Sequence, residues 1–97
     1  MKRLKDIRLT KVQLGRLLSR KQLNIYNYIL GEHVVCVRCN DAAKEGIVVE
    51  EITLNYLNDI MVRGTCKICK GKVARIFEFG EDEEFFKRAS DFRNSLL

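Results

Sequence analysis

The chain has 97 residues, of which 46% are hydrophobic and 32% charged, a composition too rich in aliphatic and aromatic residues for a disordered tail. This length predicts one domain, residues 1–97, because a second independent core would not fit. The net charge of +5 is concentrated at the start, since residues 1–30 carry eight Lys or Arg and one Asp, whereas residues 78–97 carry three basic and six acidic side chains.

No apolar run reaches the length of a signal-peptide core or the roughly 18 residues of a membrane span. The composition therefore predicts a soluble, intracellular protein of the cytoplasm with no membrane partner. In that reducing setting, pairs of cysteines indicate metal or redox sites before structural disulfides.

The first third of the chain has the pattern of helices. Capping boxes, in which Ser or Thr is followed three residues later by Gln, occur at Thr10 and Ser19. They predict either two short helices, over about 11–18 and 20–30, or one longer helix with a bend between them. Gly31 is a natural helix stop.

From His33 the pattern changes to strands. The runs GIVVEEITLNYL and IMVRGTC flank Asn58-Asp59, which predicts a hairpin with a two-residue turn. The run KVARIFEF predicts a further strand that ends at Gly80. Acidic residues at 81–84 then favour a helix start, and this helix carries a stripe of apolar residues at helical spacing: Phe85, Ala89, Phe92 and Leu96.

Together these elements predict an α+β fold. A small antiparallel sheet over 32–80 is flanked by a basic helical segment, 1–31, and by a C-terminal amphipathic helix, 81–97.

All four cysteines lie in two Cys-x-x-Cys motifs, which we call the first knuckle, Cys36–Cys39, and the second knuckle, Cys66–Cys69. A tight turn across two intervening residues aims both sulfurs of a knuckle at one point, and two knuckles complete a tetrahedral shell of four thiolates around one zinc ion. The 26 residues between Cys39 and Cys66 are enough for a pair of strands to leave and return. Asn40 and Gly71 follow the knuckles and suit a left-handed backbone conformation.

Basic residues crowd the knuckles, with Arg38 in the first and Lys67, Lys70 and Lys72 around the second. Their positive charge favours the thiolate forms and partly offsets the negative charge of a tetrathiolate site.

The motifs CVRC and CKICKG, over roughly residues 32–80, resemble the zinc-ribbon family. The resemblance implies knuckles at the tips of β-hairpins, a structural zinc ion, and contact with nucleic acid or with a protein partner. Three alternatives stay open for the cysteines: unrelated free thiols, a redox pair, and iron in the same cage as in a rubredoxin-type electron carrier.

An enzyme is not expected, and no catalytic residue or small-molecule substrate is predicted. Four protein ligands leave the metal no open position for water or substrate. His33, three residues before Cys36, is expected on the opposite face of a strand as an ordinary surface histidine. The sequence contains no Ser-His-acid set and no phosphate-binding glycine loop.

Basic side chains form the candidate nucleic-acid surface. They come from the N-terminal segment and from the second knuckle: Lys2, Arg3, Lys5, Arg8, Lys11, Arg16, Arg20, Lys21, Lys67, Lys70 and Lys72. A solvated helix face is the alternative interpretation. A helix-turn-helix is disfavoured because only Ser19 separates the two candidate helices.

Aromatic residues at Tyr26, Tyr28 and Phe77 are candidates for stacking on bases, although such spacings more often indicate a core. The competing hypothesis is a zinc-stabilised module that docks a protein through an apolar face of one of the end helices.

Overall fold

The computed structural model describes residues 5–96. Within this range the elements follow in chain order: β1 (Ile7–Leu9), α1 (Lys11–Leu17), α2 (Arg20–Glu32), β2 (Val35–Cys36), β3 (Asp41–Ala42), β4 (Ile47–Leu54), β5 (Ile60–Cys66), β6 (Lys72–Phe77), a 3-10 turn (Phe79–Glu81) and α3 (Glu83–Ser95). None of these helices is long and apolar enough to cross a bilayer.

Two antiparallel sheets confirm the predicted α+β class. Four strands pair in the order β1-β4-β5-β6, and β2 pairs with β3 in a separate two-stranded sheet. In the β4–β5 hairpin, Leu54 pairs with Ile60 beside the turn, and Ile47 pairs with Cys66 at the far end. The second knuckle therefore lies at the end of the sheet opposite to the β4–β5 turn.

One face of the large sheet carries the core. Along β5, Ile60 and Val62 are buried and Arg63 is exposed, which is the period-two pattern of a strand with one covered face. All three helices contribute apolar side chains to the same cluster: Leu14 and Leu17 from α1, Tyr26 from α2, and Phe85 and Ala89 from α3. The opposite face of the sheet is largely open.

The N-terminal segment contains two helices, as one of the two alternatives predicts, and both capping boxes are formed. The hydroxyls of Thr10 and Ser19 each accept a hydrogen bond from the backbone N–H three residues later. The sequence did not predict β1, which precedes α1 and pairs with β4. Three residues are too few to give a strand pattern in the sequence.

Helix α2 passes through Gly31 and ends one residue later, so the predicted stop at Gly31 is wrong. His33 is the C-cap, and its backbone N–H donates to the carbonyl of Ile29 at 2.9 Å. The backbone of His33 does not enter the left-handed region, with φ −119°, so a glycine is not needed there.

The β4–β5 hairpin is confirmed, but its turn has five residues, Asn55–Asp59, rather than two. The side-chain oxygen of Asn55 accepts the backbone N–H groups of Leu57 and Asp59, at 2.9 and 3.0 Å. Asn58 takes the left-handed conformation, with φ 61°. These local hydrogen bonds compete with the backbone hydrogen bonds between the two strands, so the strands end before the predicted two-residue turn.

Strand β6 ends at Phe77, before the predicted end at Gly80. Gly80 lies against the β4–β5 turn, where a Cβ atom would come within 2.5 Å of the carbonyl oxygen of Leu57. Its N–H donates to a carboxylate oxygen of Asp59 at 2.8 Å. This close approach bends the chain away from the sheet and toward α3.

Helix α3 begins after its N-cap Asp82, whose carboxylate accepts the N–H of Phe85 at 3.1 Å. Its predicted apolar stripe packs on the molecule's own core, because Phe85 and Ala89 are fully buried and Phe92 is half-buried. Leu96 is exposed, so the stripe ends one turn earlier than the pattern predicts.

Candidate metal centre and basic surface

The two knuckles lie at the tips of two hairpins. The first knuckle links β2 to β3, and the second links β5 to β6. Cys36 and Cys66 close their strands and are buried, whereas Cys39 and Cys69 are half-buried. All four side chains are free thiols.

The sulfurs have the spacing of a tetrahedral metal site. The Sγ atoms of Cys36 and Cys69 are 3.5 Å apart, those of Cys39 and Cys66 are 3.8 Å apart, and all four lie within 4.8 Å of one another. A tetrahedron with metal–sulfur distances of about 2.3 Å has edges of about 3.8 Å. Four sulfurs without a nitrogen or oxygen donor form a set suited to a thiophilic cation, so the residues present fit a structural metal ion.

The backbone after each knuckle turns in the same way. Asn40 and Lys70, the residues directly after the second cysteine of each knuckle, take φ values of 57° and 64°. The prediction for Asn40 is confirmed, but the left-handed residue of the second knuckle is Lys70 and not Gly71. Gly71 lies in a tight space, because a Cβ there would lie 3.1 Å from Cδ of Arg38 and 3.2 Å from Sγ of Cys69.

The thiols differ in how readily they lose a proton. Backbone N–H groups of Cys69 and Ile68 lower the pKa of Cys66 to about 7, against the opposing effect of burial. The hydrogen bond with Cys69, together with burial and the other two sulfurs, raises the pKa of Cys39 to about 12. Four sulfurs this close cannot all be anionic without a counter-charge, and a dication bound at their centre would supply it.

The tips of the knuckles have little apolar packing around them. Val37, between the cysteines of the first knuckle, is 87% exposed, and Ile68 in the second is 54% exposed. Gly71 N–H donates to Sγ of Cys69 at 3.4 Å, a weak bond that helps to orient this sulfur. The two loops meet at the four sulfurs, two of which, on Cys36 and Cys66, border the buried core.

The side chain of His33 interacts with residues of α2. Its ring stacks on Tyr28, with centroids 4.3 Å apart, and its Nε2 lies 3.8 Å from a carboxylate oxygen of Glu32. The expected strand position of His33 is wrong, since the residue caps α2.

The candidate basic residues are exposed wherever the structure describes them. Lys2 and Arg3 lie outside the described residues. The other nine are exposed and, within residues 5–96, none of them forms an ion pair: Lys5, Arg8, Lys11, Arg16, Arg20, Lys21, Lys67, Lys70 and Lys72.

The fold brings some of these cations together from distant parts of the sequence. Lys11 at the start of α1 and Lys67 of the second knuckle line one groove between the N-terminal helices and the start of β4, which we call the helix groove. Arg8 and Lys72 line a common depression on the open face of the large sheet, together with two glutamates. Lys5 lies elsewhere, beside the β4–β5 turn, where its carbonyl accepts a hydrogen bond from Arg93.

The three candidate stacking residues differ in their exposure to solvent. Tyr26 and Phe77 are core residues with ring centroids 5.1 Å apart, and only Tyr28 is well exposed. Tyr26 also contributes to the wall of the helix groove, beside Asn27. Sequence reasoning missed Asn27, because a single amide on a helix carries no pattern.

No protein-family model, curated protein or solved structure matches this chain. The geometry shows four cysteines clustered at metal-binding distance in a small α+β fold. Zinc as the metal, the zinc-ribbon family and nucleic acid as the partner stay predictions.

Proposed function

We propose that this protein is a non-enzymatic zinc-ribbon module that binds nucleic acid through a basic surface held in place by one structural zinc ion. The observation that carries the proposal is the meeting of two sequence-distant basic segments in the fold. Lys11 and Lys67, 56 positions apart, line the same groove. The zinc ion holds the second knuckle, and the second knuckle carries Lys67.

The chemistry of the cysteine cluster supports a structural role for the metal. Cys36, Cys39, Cys66 and Cys69 occupy all four positions of a tetrahedral ion and leave none for water or substrate. Bound there, zinc supplies charge compensation for the thiolates and a cross-link between the hairpins. Iron fits the same donors, and a coloured protein with iron in place of zinc would identify an electron carrier instead.

The N-termini of α1 and α2 supply a second supporting argument. Helix α2 opens with Arg20 and Lys21 and has no acidic residue in its first turn, and α1 likewise opens with Lys11. Cations at a helix N-terminus oppose the macrodipole by about 0.3–1 kcal/mol each. A bound phosphate relieves this repulsion, so the placement favours an anionic ligand.

Helix α3 shows the contrasting pattern, with its N-cap carboxylate and Glu83 and Glu84 in the first turn. Those side chains stabilise their own helix. Its apolar stripe is used within the molecule, since Phe85 and Ala89 are fully buried. The stripe is therefore not a free docking face, and this observation favours the nucleic-acid hypothesis over docking through α3.

The test is a salt-resolved titration of the metal-loaded protein with a labelled oligonucleotide, read by fluorescence anisotropy. We expect the logarithm of the association constant to fall with the logarithm of salt concentration, with a slope of about −0.7 to −0.9 per phosphate neutralised. Lys67→Glu should weaken binding and make the slope shallower by the value for about one neutralised phosphate. Lys87→Glu, the same charge change on an exposed position of α3, is the matched control and should bind like the parent protein.

A flat salt dependence, or no binding at low salt, would contradict the proposal. Binding that is steep in salt but equally weakened by the two variants would show a diffuse charge effect and would remove the assignment to the basic surface.

A further inference from the structure

The helix groove differs from the other depressions on the molecule in the chemistry of its walls. It has a volume of about 530 Å³ and runs between α1, α2 and the first residues of β4. Most of its lining is apolar, including Leu14, Leu23, Tyr26 and Leu30. Among the described residues, those that line it include two cations and no carboxylate.

A depression beside the β4–β5 turn has the opposite character. Its walls carry four carboxylates, from Asp6, Asp59, Glu78 and Glu81, and a single arginine. Those charges repel phosphates. The depression on the open sheet face mixes Arg8, Arg63 and Lys72 with two glutamates, and it is less apolar than the helix groove.

We propose that the helix groove binds an unpaired nucleotide of a single-stranded nucleic acid, with its base on the apolar floor and the adjacent phosphates at Lys11 and Lys67. This inference rests on the proposed function and deepens it, because it selects single-stranded over duplex nucleic acid.

Each part of a nucleotide has a counterpart in the groove. The anionic backbone matches Lys11 and Lys67, which are exposed and free of ion pairs within residues 5–96. The face of an unstacked base matches the apolar floor formed by residues such as Leu23. The exposed amide of Asn27 offers a donor and an acceptor for a base edge.

Duplex nucleic acid does not use these features together. Its base faces are stacked inside the helix, so it presents phosphates to the lysines and leaves the apolar floor empty. A groove built only for duplex phosphates has no use for apolar side chains between its cations.

Gly15 provides a direct way to fill the groove. It lies on α1, lines the groove, and has no atom within 4 Å of the position that a Cβ would take. Gly15→Leu therefore adds a Cβ at the groove lining without a clash, and leucine favours a helix more than glycine does. Gly31 is the matched control, because it lies on α2, does not line the groove, and has an equally open Cβ position.

The experiment compares a labelled single strand of about ten nucleotides, within the usual range of site sizes, with a duplex of the same sequence at one salt concentration. The metal-loaded full chain should bind the single strand about tenfold more tightly than the duplex, the preference expected from one base contact of ordinary strength. Gly15→Leu should remove this preference by weakening only the single strand, while Gly31→Leu should keep it. Melting temperatures of both variants establish that they are folded.

Asn27→Ala gives a second test that does not depend on Gly15. The side chain is exposed, so the fold should be unaffected, and we expect single-strand binding to weaken about threefold or more with duplex binding unchanged.

The outcomes separate this inference from the proposed function. If neither nucleic acid binds at low salt, the proposed function fails and the inference fails with it. If both bind with a steep salt dependence but Gly15→Leu behaves like the parent protein, only the groove assignment is overturned. If an acidic amphipathic peptide binds, and Gly15→Leu abolishes that binding without affecting the oligonucleotides, the groove belongs to a protein ligand and the inference is also overturned.

Discussion

The two ends of the large sheet are held together by different means. At the knuckle end, two hairpin tips bring four sulfurs together, and the residues between the cysteines, such as Val37, are exposed. At the turn end, Asn58 is fully buried and joined to α3 by hydrogen bonds. The knuckle end thus combines buried residues such as Val34 with a candidate metal site, whereas the turn end relies on buried hydrogen bonds.

The turn end is fastened by Arg93 of α3. Arg93 donates to the side chain of Asn58 at 2.7 Å and also to the backbone carbonyls of Asn55 and Lys5. Arg88 donates to the carbonyl of Leu17 at 2.9 Å, which ties α3 to the end of α1. These contacts satisfy buried polar groups without any metal.

Removal of the metal is expected to have the largest effect on stability. It should loosen the knuckle end more than the turn end. Structural zinc is worth about 10–16 kcal/mol of apparent binding energy in small zinc-finger peptides, and part of that should appear here as folding energy. With a chelator, amide hydrogen exchange should rise first at 34–43 and 64–72, while 52–62 keeps more of its protection. The reason is that the knuckle end loses the cross-link between its two hairpin tips.

Cys66→Ser should lower the melting temperature to a similar extent and make it insensitive to the chelator. Val37→Ser, an exposed change in the first knuckle that keeps all four sulfurs, is the control and should melt within a few degrees of the parent protein. An unchanged melting temperature after confirmed metal removal would show that the metal does not stabilise the knuckle end.

Asn58→Ala tests the turn end and should have an intermediate effect. It removes a buried amide that bonds to Ser90 and Arg93, and it leaves the guanidinium without one partner. We expect a loss of about 1–3 kcal/mol in the free energy of unfolding, measured by urea denaturation, with the metal content unchanged. Asn24→Ala, on the exposed face of α2, should cost far less, and equal losses would show that the buried amide has no special role.

The acidic side chains beside the turn should give the smallest effect, visible as a pH dependence. Burial raises the pKa of Asp59, with the charge of Glu78 adding to it and the N–H of Gly80 opposing it. The folded state therefore holds this proton more tightly than the unfolded chain, so the ionised carboxylate costs stability at neutral pH. That cost is lost as the pH falls through the raised pKa toward the ordinary value of 3.8.

Asp59→Asn should accordingly stabilise the protein at neutral pH by a few tenths of a kcal/mol. The gain should vanish below about pH 3, where the parent residue is protonated in both states. Urea denaturation of both proteins at neutral and acid pH measures this difference. A gain that persists unchanged in acid would show that the carboxylate's charge is not its cause.

Local signals explain which parts of the fold were predictable. The capping boxes at Thr10 and Ser19 and the paired cysteines each act over three residues, and the structure forms both boxes and brings the sulfurs together. The geometry of a capping box or of a single knuckle depends on residues that are neighbours in the sequence, so it can be predicted from the sequence.

Features that depend on distant contacts were not predictable. Strand β1 is short and becomes a strand only because it pairs with β4. Gly71 suits a positive φ in isolation, but Lys70 takes that conformation, and Gly71 instead lies close to the side chain of Arg38. The roles of Arg88 and Arg93 are set by carbonyls more than 30 positions away, and a lone arginine on a helix gives no sign of them.

The central claim is that the four sulfurs hold a single zinc ion and that this ion cross-links the two knuckles. Elemental analysis and X-ray absorption of freshly isolated, reduced protein test it most directly. We predict one zinc per chain with four sulfur neighbours at about 2.3 Å. Protein without bound metal, or a metal with nitrogen or oxygen neighbours in place of these sulfurs, would contradict the claim.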